Sequence, residues 1–356
     1  VDKEGVSLKS IFVSITSLED KEALPTVLDA FDKAEMPERV FIGIAIASAK
    51  KDTLKQILAA KKKYKDNIRV SYDKVALKNH LNLFGVGRGR LRARKLYNSE
   101  DYFLQIDSHT MFEAGWDSKL IALHSEAKQE LGLDKVIITA YAGKYYIDDN
   151  RNRHLSDLDN IPGTSKRYGF LYNTFYDGHS RYDIVPSWVV NDSEKIRSLQ
   201  DKFVPSLKFN ANFAFGDKEF AENLGITENE IFFEEELIQT IRLMSYGFAL
   251  VHPNIESATI RHLYADYGTN EEIISSYKRT NLATEFYSVG LDYQKSLAMK
   301  NYLGYISDID NRHAIESYQR YAGINLFSSR VNRNTILPST WKLDILGSYP
   351  YNGSEV

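Results

Sequence analysis

The stretch Tyr102-Phe-Leu-Gln-Ile-Asp-Ser-His-Thr-Met-Phe-Glu-Ala-Gly-Trp-Asp117 decides how this chain is read. It opens as an apolar strand and ends that strand on Asp107 and His109, two metal-capable side chains at i and i+2. In extended backbone, residues two apart point to the same face, so a carboxylate and an imidazole can meet one divalent cation from one side. Oxygen plus nitrogen suits Mn2+ or a similar borderline ion better than Ca2+, which prefers all-oxygen shells. A cation at the end of a parallel strand is placed to neutralise a diphosphate. The triplet alone also has a plainer reading, two polar residues at a surface strand end.

Upstream, strands and helices alternate. Ile11 to Ile15 is a β-branched apolar run, and Ser17-Leu-Glu-Asp20 behind it reads as a capped helix start. Leu24, Val27, Leu28 and Phe31 then fall on one helical stripe. Val40–Ala47, Ile68–Tyr72, Tyr102–Asp107 and Val136–Ala142 are further strands, and Asp52 opens a helix ending in Lys61-Lys-Lys-Tyr-Lys65. Those lysines read as cations complementing a helix C-terminus. Alternation at this spacing predicts an α/β fold, a mostly parallel sheet flanked by helices, with ligands beyond the carboxyl ends of the strands. The polar stretch 144–172 lacks periodicity and reads as a lid or binding loop. A helix is expected from Glu234 to Tyr246 with Gly247 past its end, and short strands at Ala249–His252 and Ala258–Tyr264. Two domains follow from this reading, a catalytic unit over 1–265 and a mainly helical then irregular extension over 266–356.

Composition narrows the function. The chain has 356 residues and no cysteine, which excludes disulfide frameworks, zinc ribbons, iron–sulfur clusters and thiol nucleophiles. Any metal must sit on carboxylates and the 8 histidines. Charges of 45 Lys+Arg against 48 Asp+Glu argue against a broad nucleic-acid surface. The 23 tyrosines suit either stacking on sugars and bases or half-buried strand positions. No apolar run approaches the roughly 20 residues of a membrane span, and the polar N-terminus has no signal-peptide core. A cytoplasmic protein without a membrane partner is expected.

Leu104-Gln-Ile-Asp-Ser-His109, followed by Phe112 and Gly115-Trp-Asp117, resembles the signature of the Skp1-hydroxyproline N-acetylglucosaminyltransferases and their microbial and viral relatives. Other elements agree in order over about residues 11–325. Ile11-Phe-Val-Ser-Ile-Thr-Ser-Leu-Glu-Asp20 resembles the family's opening strand and turn. Gly85 to Tyr97 is similar to its arginine-bearing helix, with Arg90 on the family's arginine and Gly89 in place of an alanine. Ala211 to Gly216, Phe233-Glu-Glu-Glu-Leu237, His262-Leu-Tyr264 and Tyr318 to Ile324 resemble later elements, with Glu234 where glycine is usual.

The resemblance implies a GT-A fold and a retaining, Mn2+-dependent transfer of a sugar, N-acetylglucosamine foremost, from a UDP-sugar to an acceptor hydroxyl. Its D-x-H motif is also similar to that of the polypeptide N-acetylgalactosaminyltransferases, which implies metal ligands Asp107, His109 and His262, with His252 the competitor for the third place. Arg90 is the implied guanidinium for the diphosphate, beside Asp107. Ser14, Ile15 and Asp20, just past the first strand, are the implied nucleoside contacts. Arg88, Arg92 and Arg94 read as a solvated helix face. Glu235 first, and Glu236 second, are the candidate catalytic carboxylates, although both also suit a helix N-terminus. Trp116 and Trp188 can stack on a sugar, with Trp116 better explained as core. The acceptor is a hydroxyl on a protein, a glycan or a hydroxymethylated DNA base. A decayed, non-catalytic nucleotide-sugar-binding module is the reading from another class. Asn191-Asp-Ser193 and Asn352-Gly-Ser354 are sequons without meaning in a cytosolic protein.

Overall fold

The computed structural model describes residues 9–18, 20–48, 50–74, 85–148, 150–155, 170–175, 187–190, 202–231, 234–254, 259–263, 291–322, 324–327 and 330–331. About half of the expected 144–172 loop, Phe233, Tyr264, Gly323 and both sequons fall outside them, as does the side chain of Trp188; the described parts of 144–172 include strand at 144–147, 153–155 and 170–172 and are not one irregular loop.

The strands are β1 Ile11–Leu18, β2 Val40–Ser48, β3 Ile68–Lys74, β4 Tyr102–Asp107, β5 Thr110–Phe112, β6 Val136–Thr139, β7 Tyr141–Ile147, β8 Arg153–Leu155, β9 Phe170–Phe175, β10 Ser187–Val190, β11 Phe203–Pro205, β12 Phe213–Asp217, β13 Ala249–Pro253, β14 Ile260–His262, β15 Ile324–Asn325 and β16 Arg330–Val331. The helices are α1 Ala23–Lys33, α2 Asp52–Tyr64, α3 Val86–Arg94, α4 Trp116–Leu131, α5 Lys218–Asn223, α6 Glu235–Ser245, α7 Leu291–Ser307 and α8 Arg312–Ala322. The main sheet has the order β11-β13-β6-β12-β4-β1-β2-β3, and the run β4-β1-β2-β3 is parallel. Antiparallel β12 joins it to the parallel pair β6 and β13. A second sheet, β10-β9-β7-β14-β5, stands beside it.

The pleat sorts alternate side chains to two faces. Ile11, Val13 and Ile15 of β1, with Leu104 and Ile106 of β4, enter the core covered by α1, α2 and α4. Phe12 and Phe103 point the other way, into a second core shared with α5, α6, α7 and α8. The helices after residue 290 therefore bury Ala298, Tyr302, Ile306, Ile315 and Tyr318 against the same sheet. Two tyrosine hydroxyls lock this layer to the chain before β12: Tyr318 donates to the Leu207 carbonyl at 2.7 Å and Tyr321 to that of Ser206 at 3.3 Å.

Several local expectations are altered. The Ser17–Asp20 segment does not cap a helix: Ser17 belongs to β1, and α1 begins only at Ala23. The carboxylate of Asp20 is drawn elsewhere, as shown below. The expected strand Val136–Ala142 breaks at Ala140, because the chain leaves the main sheet there and enters the second. Gly247 does take the left-handed conformation past α6, at φ 84°. Among the described residues no helix is long and apolar enough to cross a membrane.

Candidate active site

Asp107 is the last residue of β4, directly opposite Thr16 of β1. The chain bends at Ser108 and His109 and restarts as β5 in the second sheet, so the Asp-x-His triplet sits on the seam between the sheets and not on one extended strand. Thr26 holds that bend, its hydroxyl lying 2.9 Å from the carbonyls of both Ser108 and Thr110, either of which can accept its proton. The residue that completes the group comes from far along the chain. β14 pairs with β5 so that His262 faces Thr110, and with β7 so that it faces Lys144.

Asp107, His109 and His262 thereby converge, with one ligand-capable atom from each lying within 4.8 Å of the others. His262 Nε2 donates to Asp107 Oδ2 at 3.0 Å, and the two imidazole rings are 4.6 Å apart. Burial alone would raise the Asp107 carboxyl, but the hydrogen bond from His262 and the nearby Arg90 charge outweigh it, holding the group well below the carboxylate range. Burial lowers the proton affinity of His262, which favours the neutral imidazole that a cation requires. His252, by contrast, lies on β13 opposite Val204 in the main sheet and is no member of this group.

Arg90 enters from α3. Its Nη2 lies 3.1 Å from Asp107 Oδ1 and its Nε 2.6 Å from Glu235 Oε1, with only 4% of the side chain exposed. One guanidinium thus serves two carboxyls, the buried Glu235 and the partly exposed Asp107. Burial acts against its charge, but Glu235 and Asp107 more than restore it. Glu235 has no imidazole donor of Asp107's kind, and burial pushes its carboxyl up against the pull of Arg90. Glu236, one residue on, accepts the Ala211 N–H at 2.9 Å and pairs with Lys208 Nζ at 2.8 Å, with the Tyr141 hydroxyl at 3.4 Å. Glu234 accepts from the Ile231 N–H at 2.9 Å and from the Asn301 amide of α7 at 3.1 Å. The start of α6 is therefore tied into the site and to the C-terminal helices together.

The remaining sequence candidates are spread more widely. Ile15 is wholly buried in the first core, and Ser14 is buried in β1 between Gly43 and Gln105. Asp20 lies at the cluster, 2.7 Å from His109 Nδ1. The arginines of α3 do not form an idle solvated face. Arg88 and Arg92 each reach Asp73 at 2.8 Å, at the end of β3, and Arg94 bonds the carbonyls of Ala221 and Glu222. Half-burial between α3 and its neighbours gave them partners that a helical spacing argument does not contain. Lys208 was missed, although a lone lysine between Leu207 and Phe209 in an apolar run is a visible signal.

The sequence profile of the family described as glycosyltransferase (GlcNAc) matches residues 10–82 and 81–271. The chain belongs to the GlcNAc glycosyltransferase family. No curated protein sequence matches it. Among solved structures it is similar to GalNAc-T7, determined with UDP, GalNAc and Mn2+, at 12% identity and a TM-score of 0.51. That match covers 85% of this chain and 57% of GalNAc-T7, so the chain spans a little over half the length of that protein. TarS residues 1–349 from S. aureus match at 10% identity and a TM-score of 0.42, covering 90% of this chain and 81% of that one. The fold is that of the GT-A glycosyltransferases.

Several other residues of the Leu104–Asp117 signature tie together the framework around the site. Trp116 is fully buried and donates its indole N–H to the Ala30 carbonyl at 2.8 Å, in keeping with the core reading. Asp117 accepts the N–H groups of Glu35 and Met36 at 2.8 and 2.9 Å, tying the end of α1 to the start of α4. Gln105 donates to the Ala211 carbonyl at 3.2 Å, linking β4 to the turn before β12.

Proposed function

We propose that the chain is a retaining glycosyltransferase of the Skp1-hydroxyproline type, moving N-acetylglucosamine from UDP-N-acetylglucosamine to an acceptor hydroxyl with Mn2+. The observation that carries this reading is the convergence of Asp107, His109 and His262 at the end of β4, with Arg90 alongside. One carboxylate oxygen and two imidazole nitrogens form a donor set that suits Mn2+ and disfavours Ca2+. The bound ion would act as a Lewis acid on the diphosphate. Arg90, held from behind by Glu235, would add a fixed positive charge where negative charge develops on the leaving group.

In the transfer, the bond from the anomeric carbon to the β-phosphate oxygen breaks and a bond from that carbon to the acceptor oxygen forms on the same face. The acceptor's proton passes to the departing phosphate. Such a reaction needs no strong protein base. Glu235 then supports Arg90, and Glu236, paired with Lys208 and less enclosed, is the carboxylate placed to meet sugar or acceptor hydroxyls. The helices after residue 290 support the site through Asn301, Tyr318 and Tyr321. The acceptor hydroxyl belongs to a protein or glycan, in keeping with a balance of 45 basic and 48 acidic residues.

The test is UDP release from UDP-N-acetylglucosamine with Mn2+, by wild type, Asp107→Ala and His262→Ala. Metal-dependent release by wild type and its loss in both variants is expected. Equal release by wild type and Asp107→Ala would refute the metal assignment, and a wild type that binds UDP-sugar without turnover would indicate a binding module. A hydroxymethylated DNA acceptor would declare itself by affinity that falls steeply with salt.

A further inference from the structure

The Asp20 carboxylate is gripped by two residues just past β4 and by the backbone of its own turn. Oδ2 lies 2.7 Å from His109 Nδ1 and accepts the Ser108 hydroxyl at 2.6 Å, while Oδ1 accepts the Glu22 N–H at 2.8 Å. Its side chain is 11% exposed. By its place after β1, Asp20 was expected to meet the nucleoside. The geometry points elsewhere.

We propose that Asp20 is a positioning residue that holds His109 with its proton on Nδ1 and so makes Nε2 the ligating nitrogen. This rests on the metal reading of Asp107, His109 and His262. A neutral imidazole carries one N–H and one lone pair, and a carboxylate can only accept, so the nitrogen facing Asp20 must be the protonated one. The lone pair is then on Nε2. A carboxylate behind a ligating histidine fixes ring orientation and raises ligand basicity. The grip is reinforced on both sides. Ser108, the residue before His109, donates to the same oxygen, so backbone and ring are referenced to one point. Glu22, whose N–H holds the other oxygen, is itself clamped by Arg153 at 2.8 Å and Arg151 at 3.1 Å from the β8 hairpin.

The experiment compares wild type, Asp20→Asn and Asp20→Ala on three readouts. The first is the His109 tautomer in metal-free protein, by long-range 1H–15N NMR at about pH 8, above the ordinary histidine range. The second is Mn2+ affinity by calorimetry or EPR, and the third is UDP affinity without metal. We expect the Nδ1–H tautomer in wild type and its loss in Asp20→Ala. Mn2+ binding should weaken roughly 10–100-fold, as for removal of an outer-sphere partner of a ligating histidine. Metal-free UDP affinity should not move. Asp20→Asn, nearly isosteric and still able to accept through its amide oxygen, should show a smaller loss, and it supplies the same readouts if Asp20→Ala does not fold. Unchanged tautomer and Mn2+ affinity with reduced UDP affinity would make Asp20 a nucleoside ligand and overturn the proposal alone. A wild type that binds no divalent cation would overturn the metal reading and the proposal with it.

Discussion

Replacing Gly89 by alanine probes the contact that seats α3, and with it Arg90, on the end of β1. A Cβ built at Gly89 would lie 2.0 Å from Thr16 Oγ1 and 3.1 Å from Thr16 Cβ. Thr16 is the residue opposite Asp107 in the β1–β4 register, so the close approach is made beside the metal-capable carboxylate itself. Two effects oppose each other. Alanine favours the helix over glycine by about 1 kcal/mol. Overpacking a tight contact costs about 1–3 kcal/mol. Rotating Thr16 about χ1 can move its hydroxyl but leaves the tight 3.1 Å approach to its Cβ. The clash should win by about 1 kcal/mol, lowering Tm by roughly 1 °C for a chain of this size. Activity should suffer more. Displacing α3 carries the Arg90 guanidinium away from Asp107, and a misplacement of about 1 Å at a reacting centre can cost 100-fold in rate. UDP release should therefore fall about tenfold or more. Thr16→Ala in the same chain removes the hydroxyl and leaves only the Cβ contact, so the double variant should recover about 1 kcal/mol relative to additivity. Urea unfolding and a UDP-release assay on the four proteins of the cycle provide the check. A Gly89→Ala variant at least as stable as wild type, with additive behaviour in the cycle, would refute the seating of α3 on Thr16.

Other perturbations test different parts of the same framework. Burial pushes the Glu230 carboxyl up to about 7 from 4.5. A raised carboxyl contributes stability that is present below pH 4.5 and lost as pH rises through about 7, so Glu230 should withdraw about 3 kcal/mol across that window. Glu230→Gln should flatten the dependence in urea titrations run at several pH values, and parallel curves would contradict the reasoning. Tyr318→Phe strands the Leu207 carbonyl and should cost about 1–2 kcal/mol, read as a lower urea midpoint with an unchanged slope. Lys208→Met leaves Glu236 without its cation; turnover should drop while Mn2+ affinity stays at the wild-type value, and a matching loss of Mn2+ affinity would place Lys208 in the metal site instead.

The local grammar of this chain was legible wherever one periodicity decided the outcome. The strands β1 to β4, the stripe of α1 and the glycine past α6 follow from side-chain alternation, a 3.6-residue repeat and the left-handed conformation that glycine adopts freely. Asp107 and His109 were readable for the same reason, being two residues apart. Non-local pairings escaped. The Ser17–Asp20 segment carries a helix-cap pattern, but Asp20 gains more from His109 and Ser108, 89 and 88 residues away, than from a helix end. Arg92 looked solvated because spacing along α3 says nothing of Asp73 at the end of β3. By itself, then, the sequence determined the alternation that builds the parallel sheet and the chemical character of its richest strand end. The tertiary structure alone decided which groups share one space: His262 reaches Asp107 across 155 residues because β14 runs beside β5, and Glu235 backs Arg90 because α6 and α3 pack on the same face. Register and packing are collective properties, and no single segment holds them.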